Sequence, residues 1–487
     1  MTKHLLVALA LVMQAGQITA QVRSEKRGLA YGEHSKKDLQ VLSPGVSWWY
    51  NWYHQPEAGV INDYKSLNVD YVTMAWNGAF DKAAMRKFLQ THPDVKYILG
   101  WNEPNFIDQA KMTPSEAAAR WTDIQAIADE FGLKIGSPAV NYCGNCVSEN
   151  GTTYTDPVKY LDDFFTACKN CRVDFIAIHC YMSHVSALQW YVSLFEKYNK
   201  PIWLTEFASW EGSPTLAEQK SFMVGAVDYL ENNPKVARYA WFTGRSTGVP
   251  YNALMTDPGV LTELGNIYVN MPVHSTTNYV KIPAKIEAEA YTVMNGASLE
   301  ATQDASGVVH VTSLDAGDWL EYNLDVPTAD TYPLKIRVAS KQSGSVKIME
   351  GNQTLLTVAI ADGNDLTKWQ TITGSIKLAA GKHTLRMQVV AAGFNLNWFE
   401  IGNLLVVGNE PELSLAEQAY PNPVGETLFI PNARSVRSLE ISTVQGETVY
   451  AGLASAQIDF TAFKPGLYIL KLTSLKGGVS TQKIIKK

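Results

Sequence analysis

Between residues 28 and 275 the chain alternates short apolar runs with helical segments, and this alternation restricts the fold more than any other feature. The runs fall at 45–50, 71–76, 97–101, 134–140, 174–181, 202–207 and 237–243. Near-continuous apolar character of this kind suits parallel strands covered on both faces. Thr113-Pro114-Ser115-Glu116 reads as a capping box with proline at the first helical position, opening a helix to about Phe131. Thr215-Leu216-Ala217-Glu218 opens another, to about Asn232. Such alternation predicts an α/β fold, either an eight-stranded barrel or an open doubly wound sheet. Seven strands can be read, so an eighth is not legible. No glycine-rich phosphate loop follows any strand, which argues against nucleotide binding.

Two of the runs end in glutamate. One is Tyr97-Ile98-Leu99-Gly100-Trp101-Asn102-Glu103-Pro104-Asn105; the other is Pro201-Ile202-Trp203-Leu204-Thr205-Glu206-Phe207. Pro104 stops the first strand, so Glu103 stands at its C-terminal end. In a barrel of alternating strands and helices that end is the catalytic face. Paired carboxylates there suit glycosidic bond cleavage, one donating a proton and the other acting as nucleophile or base.

The chain of 487 residues is too long for a single core. Its net charge of −6 argues against a nucleic-acid partner. Lys3 and His4 precede an apolar run at 5–13, the pattern of a secretory signal ending near Ala20 (residues 1–20). That run is too short to span a membrane, and no later stretch reaches spanning length. Five cysteines lie close together: Cys143, Cys146, Cys168, Cys171 and Cys180. In an exported chain, disulfides crossing between the two CxxC pairs are expected, with Cys180 a buried free thiol.

Near residues 270–280 the pattern changes. From 282 to 402 period-two alternation replaces the helical period; Leu320, Tyr322, Leu324 and Val326 share one strand face. A β-sandwich over 280–403 is expected, then a linker at 404–417 and a small β module at 418–487.

Three resemblances sharpen these expectations. The first domain, 28–275, resembles glycoside hydrolase family 128. The resemblance is carried by Gly45-Val46-Ser47-Trp48-Trp49-Tyr50-Asn51-Trp52, Gly100-Trp101-Asn102-Glu103-Pro104-Asn105, Gly136-Ser137-Pro138-Ala139, Ile178-His179-Cys180-Tyr181 and Trp203-Leu204-Thr205-Glu206-Phe207. It implies a (β/α)8 barrel and a retaining endo-β-1,3-glucanase, with Glu103 as acid/base and Glu206 as nucleophile. Trp48, Asn51, Trp101, Asn102, His179, Tyr181 and Trp241 are the expected substrate contacts. The chain has His179-Cys180-Tyr181 where the family often shows His-Trp-Tyr.

The second domain resembles carbohydrate-binding module family 6, a jelly-roll β-sandwich. Ile286-Glu287-Ala288-Glu289-Ala290-Tyr291, Leu314-Asp315-Ala316-Gly317-Asp318-Trp319, Lys368-Trp369-Gln370-Thr371 and Gly393-Phe394-Asn395-Leu396-Asn397-Trp398 carry that likeness. It implies sugar contacts at Trp369 and Asn395, and a structural calcium ion at Glu287, Glu289 and Asn397. The tyrosine that usually faces the tryptophan is Ser313 here, with His310 close by.

The tail resembles the type A sorting domain of the type IX secretion system, through Tyr420-Pro421-Asn422-Pro423 and Gly466-Leu467-Tyr468-Ile469-Leu470-Lys471-Leu472. The chain is therefore expected to be a secreted or surface-attached β-glucan hydrolase that needs no catalytic cofactor. The competing expectations are a non-catalytic glucan-binding lectin and a glycanase of the same clan acting on another polysaccharide.

Overall fold

The computed structural model describes residues 23–245, 248–402 and 419–487, apart from 431–432, 434–435, 444–446, 454 and 475–478. The expected signal segment and linker lie outside the described residues. The described residues form two compact units, one ending at 402 and the other starting at 419.

The first half of the larger unit holds β1 (Arg27–Ala30), β2 (Trp48–Tyr50), β3 (Asp70–Tyr71), β4 (Thr73–Met74), β5 (Tyr97–Leu99), β6 (Lys134–Ile135), β9 (Ile176–Cys180), β10 (Ile202–Phe207) and β11 (Val236–Trp241). A small hairpin, β7 (Ser148–Glu149) with β8 (Thr152–Thr153), follows β6. The helices are α1 (Lys36–Leu42), α2 (Lys82–Thr91), α3 (Pro114–Phe131), α4 (Pro157–Ala167), α5 (Val185–Ser193), α6 (Leu216–Asn232) and α7 (Glu263–Asn270). Both expected capping boxes form, on Thr113 with Glu116 and on Thr215 with Glu218.

All strands but the hairpin run parallel, in the orders β3-β2-β1-β11-β10-β9 and β4-β5-β6. Only Val72 separates β3 from β4, and its N–H donates to the Trp49 carbonyl, so one strand passes between the two sheets. Single bridges at Gly136 with Phe175 and Val140 with Ile178 tie the chain after β6 to the segment carrying β9. Strand β1 is the one the sequence concealed. It begins with Arg27 and Gly28, neither of which reads as a buried strand residue. Arg27 is buried because its guanidinium donates to Tyr239, Glu231 and the Tyr268 carbonyl. Gly28 is required because a Cβ there would run into the Trp48 ring.

Two separate cores flank these strands. Ala30, Trp48, Tyr50, Met74, Leu99, Phe175, Trp203 and Ala240 pack together on one face. Leu29, Trp49, Ile98, Trp101, Ile178, Leu204, Phe207 and Trp241 pack with the helices on the other. Burying both faces is what parallel strands require.

Residues 280–402 form two sheets. One contains Trp319–Val326, Gly381–Ala391, Gly344–Glu350 and Gln353–Ile360; the other contains Val309–Thr312, Phe394–Ile401, Asp330–Ser340 and Asp365–Leu378. One hydrophobic cluster draws on both. This domain docks on α6: Asp228 accepts from the Tyr291 hydroxyl at 3.1 Å, and His274 stacks on Tyr291 at 4.0 Å. The second unit pairs Thr448–Leu453, Val436–Thr443, Gly466–Ser474 and Val479–Lys486 in one sheet. Asn422 of its proline-rich motif donates to the Lys483 carbonyl and accepts from the Ile485 N–H.

The disulfides differ from expectation. Cys143 pairs with Cys146, and Cys168 with Cys171. Cys143 N–H bonds the Thr155 carbonyl just before α4, whereas Cys168 caps that helix's far end. Eleven helical residues hold the two pairs roughly 16 Å apart, beyond bridging distance. Cys180 is a buried free thiol, pushed up to about 12 by burial.

Gly45 tests how tightly these layers fit. A Cβ there would overlap the Val269 carbonyl at the end of α7, where the neighbour is backbone and cannot yield cheaply. Gly45→Ala is expected to cost about 1–3 kcal/mol, read as a lower urea midpoint at unchanged m; an unaltered midpoint contradicts this packing.

Candidate active site

Glu206 is aimed by an irregularity in β10. Ile202 and Leu204 face the helices and Trp203 faces the inner core. Strict alternation would then turn Glu206 outward and Phe207 inward. The register on β9 slips between Leu204 and Glu206, and Phe207 packs outward with the helix layer. The slip leaves Glu206 on the inner side, the re-aiming that a β-bulge provides.

Three donors meet Glu206 there. The Tyr50 hydroxyl donates to Oε1 at 2.8 Å, and the Trp52 indole N–H donates to the same oxygen at 2.7 Å. The Tyr181 hydroxyl donates to Oε2. Glu206 is 4% exposed, so these bonds replace most of its hydration. Tyr50 and Tyr181 are pushed well above their ordinary range by burial first and by the Glu206 charge second, so both stay protonated and donate.

Glu103 stands just past β5 with a left-handed backbone (φ 41°). Its N–H bonds the Ala139 carbonyl at 2.8 Å and its own carbonyl accepts from Phe106 at 2.9 Å. Asn105 secures the same turn, donating to the Asn141 carbonyl at 2.8 Å. His179 lies between the acids. Its Nδ1 is 3.0 Å from Glu103 Oε1 and 3.4 Å from Glu206 Oε2. One oxygen of each carboxylate and one ring nitrogen all lie within 4.8 Å of one another. Burial lowers the His179 pKa, but Glu206 and then Glu103 outweigh it and hold it above the ordinary value.

The structure thus brings together Glu103, Glu206, His179 and Tyr181. Asn102 adjoins them: its Nδ2 donates to Gln109 at 3.1 Å, and its Oδ1 is buried without a partner. Four expected substrate contacts are placed elsewhere. Trp48 is fully buried beneath the site, in the inner core beside Trp203. Trp101 turns outward against Trp121 because the alternation of β5 is lost after Leu99; Gly100 permits this by letting the chain approach the Gly136 and Ser137 carbonyls. Trp241 faces the helix layer and donates to the Asn252 carbonyl at 2.8 Å. Asn51 spends its amide on the Gln55 carbonyl and the Tyr71 hydroxyl, folding the loop that presents Trp52. Tyr50 was missed as a site residue, and Trp52, one of several tryptophans at or after strand ends, was not singled out. Their signal was the period-two spacing from Trp48, which sets 48, 50 and 52 on one face. Phe242 and Trp210 pack against Tyr181 at the same rim.

In the two-sheet domain, Trp369 and Asn395 adjoin each other through His310. The His310 and Trp369 ring centroids are 5.1 Å apart, and Asn395 Nδ2 is 3.1 Å from His310 Nε2. Asn395 Oδ1 accepts from Thr312 at 3.0 Å, which fixes the amide's orientation. Burial lowers the His310 pKa to about 4, so its ring is neutral near neutral pH.

The expected calcium ligands carry oxygens with unmet hydrogen-bonding capacity. Glu287 Oε2, Glu289 Oε2 and Asn397 Oδ1 are all buried without a hydrogen-bond partner. Burial, reinforced by Glu287, pushes Glu289 far above the ordinary carboxylate range. Hard oxygen donors left unsatisfied in this way suit calcium.

Comparison with known proteins agrees with this layout. Residues 28–268 match the glycosyl hydrolase catalytic core, 287–403 the carbohydrate binding module (family 6), and 418–487 the secretion system C-terminal sorting domain. A family 128 (subgroup II) endo-β-1,3-glucanase from Sorangium cellulosum is 48% identical, over 51% of this chain and 100% of that one, with a TM-score of 0.46. Another, from Pseudomonas viridiflava, is 38% identical over 52% of this chain and 100% of that one, with a TM-score of 0.47. Alkali-sensitive linkage protein 1 of Schizosaccharomyces pombe is 31% identical over 260 residues, 51% of this chain; the match spans only 45% of that protein. Among the described residues no helix is long and apolar enough to cross a membrane. The chain belongs to glycoside hydrolase family 128, and it carries a family 6 carbohydrate-binding module and a type IX sorting domain that marks it for secretion or cell-surface attachment.

Proposed function

We propose that the chain is a retaining endo-β-1,3-glucanase whose catalytic strands close into a (β/α)8 barrel and whose β-sandwich holds the enzyme on its glucan. The observation that carries this reading is the cluster of Glu103, His179 and Glu206, with interacting atoms within 4.8 Å. Retention needs carboxyl groups about 5–5.5 Å apart, whereas inversion needs about 6.5–9.5 Å to admit a water. Barrel closure is supported by Tyr50 and Glu206. They stand three strands apart in sheet order, about 14 Å on a flat sheet, yet they share a 2.8 Å hydrogen bond. The linkage is supported by the named activity of the Sorangium and Pseudomonas relatives.

In the first step the Glu206 carboxylate attacks the anomeric carbon. The glycosidic C–O bond breaks and Glu103 gives its proton to the leaving oxygen. In the second, Glu103 takes a proton from water, the water oxygen attacks the same carbon, and Glu206 leaves as a carboxylate. Tyr50, Trp52 and Tyr181 stabilise the anionic Glu206 before and after the covalent stage. His179 responds to the cycle, because esterifying Glu206 removes the largest influence raising its pKa. Asn102 Oδ1 is free to accept a sugar hydroxyl. In the sandwich, Trp369 and Asn395 are the proposed sugar contacts, and Glu287, Glu289 and Asn397 the proposed calcium ligands.

Glu206→Ala is expected to lower turnover of laminarin by several orders of magnitude, since no other group can form the covalent intermediate. Product anomers followed by NMR should be β at first appearance; α product, or sugar binding with no turnover in the unaltered chain, contradicts the reading.

His179 supplies a pH test. Its folded pKa lies above 6.5, so its contribution to stability is complete below about pH 6.5 and is lost as pH rises through the folded value. The melting-temperature gap between the native chain and His179→Gln should therefore narrow as pH rises; a widening gap refutes the assignment.

Chelation of calcium should lower the melting temperature, and added calcium should restore it. Glu289→Ala should abolish that response while sparing laminarin turnover.

A further inference from the structure

We propose that Tyr142 and Trp190 form a second carbohydrate contact outside the carboxylate cluster, a platform that supports the glucan chain on the Glu103 side of the cleft. This inference rests on the glycosidase reading and extends it. Both rings are exposed, Tyr142 by 39% and Trp190 by 51%. They are parallel to within 4°, with centroids 6.5 Å apart. Large aromatic side chains gain most from burial, so two aligned faces left in solvent are costly without a ligand. Flat, uncharged ring faces suit the C–H faces of a neutral sugar.

The segments that carry the rings are also held in place. Tyr142 N–H bonds Asn141 Oδ1 at 2.8 Å, and the next residue is locked by the Cys143–Cys146 disulfide. Cys143 N–H bonds the Thr155 carbonyl at 3.1 Å. Trp190 is carried by α5 beside Tyr191, whose hydroxyl donates to the Val140 carbonyl at 3.3 Å and whose ring packs on Tyr142 at 5.7 Å. A platform on anchored segments needs little backbone ordering when sugar arrives.

Continuity with the cleft gives the platform its occupant. The Val140 carbonyl that anchors Tyr191 also accepts from His179 N–H at 2.9 Å. Ala139, one residue earlier, holds Glu103, and Asn105, two residues after Glu103, holds Asn141. The loop that positions the acid therefore also presents the first ring. A chain leaving the cleavage point on this side meets Tyr142 and then Trp190. A short oligosaccharide ends before it.

The test is steady-state kinetics of the full chain on laminarin and on a short β-1,3-oligosaccharide. Trp190→Ala should raise KM for laminarin about tenfold and leave turnover of the short substrate unchanged; Trp190→Phe should recover most of the loss. Tyr142→Ala should act in the same direction. Equal losses on both substrates, or an unchanged laminarin KM, overturn the proposal. If the unaltered chain cleaves neither substrate, the glucanase reading fails on its own. Native gels containing a panel of soluble glycans then test the platform separately. Retardation by one glycan that weakens in Trp190→Ala supports it, and identical mobility of the two proteins in every gel overturns it.

Discussion

Burying a carboxylate is expensive unless hydrogen-bond donors replace its water, and the geometry of this catalytic domain depends on how Glu206 meets that requirement. Its donors come from Tyr50 and Trp52, on and just after β2, and from Tyr181, just after β9. Those segments are far apart in sequence. They can converge on one side chain only if the sheet curls strongly, so satisfying a single buried charge is coupled to the curvature of the whole parallel array. The aromatic inner core follows from the same curvature. Trp48, Trp203 and Phe175 fill the space beneath the site, and Arg238 lies over the faces of Trp48, Tyr97 and Trp203. The floor under the carboxylates is thereby rigid.

Rigidity at the floor and a bulge at the rim act together. The proposed nucleophile reaches the inner face only because the pairing slips before it. The proposed acid holds a left-handed backbone that the Ala139, Phe106 and Asn105 hydrogen bonds enforce. Both are local departures from regular strand geometry, kept in place by regular surroundings. Such departures concentrate where chemistry is done. The appended module shows the same economy. Asn395 is oriented by Thr312 and His310, so its amide is fixed by the protein itself.

Much of this was legible in the sequence. Seven strands, the two capped helices, the change to period two near residue 280 and both terminal glutamates could be read from spacing and residue type. The errors have specific causes. Strand β1 escaped because a buried arginine and a glycine, each explained only by distant partners, interrupt its apolar pattern. Trp101 was expected at substrate from its place at a strand end, but the alternation of β5 stops after Leu99 and the ring turns outward against Trp121. Trp48 and Trp241 lie deep in the two cores, a depth no local pattern records. The disulfide pairing was misread because the length of α4 separates the two cysteine pairs.

By itself the sequence determined which residues could do chemistry and the order in which they occur, because strand ends, caps and turns are set by neighbours only a few positions away. The tertiary structure alone decided which of those side chains face one another. That outcome depends on register slips, sheet curvature and donors more than a hundred residues distant. Glu206 illustrates the division. Its strand is written in residues 202–207, but the direction of its side chain is settled by pairing with β9, and the partners that satisfy its charge by the bend of the sheet as a whole.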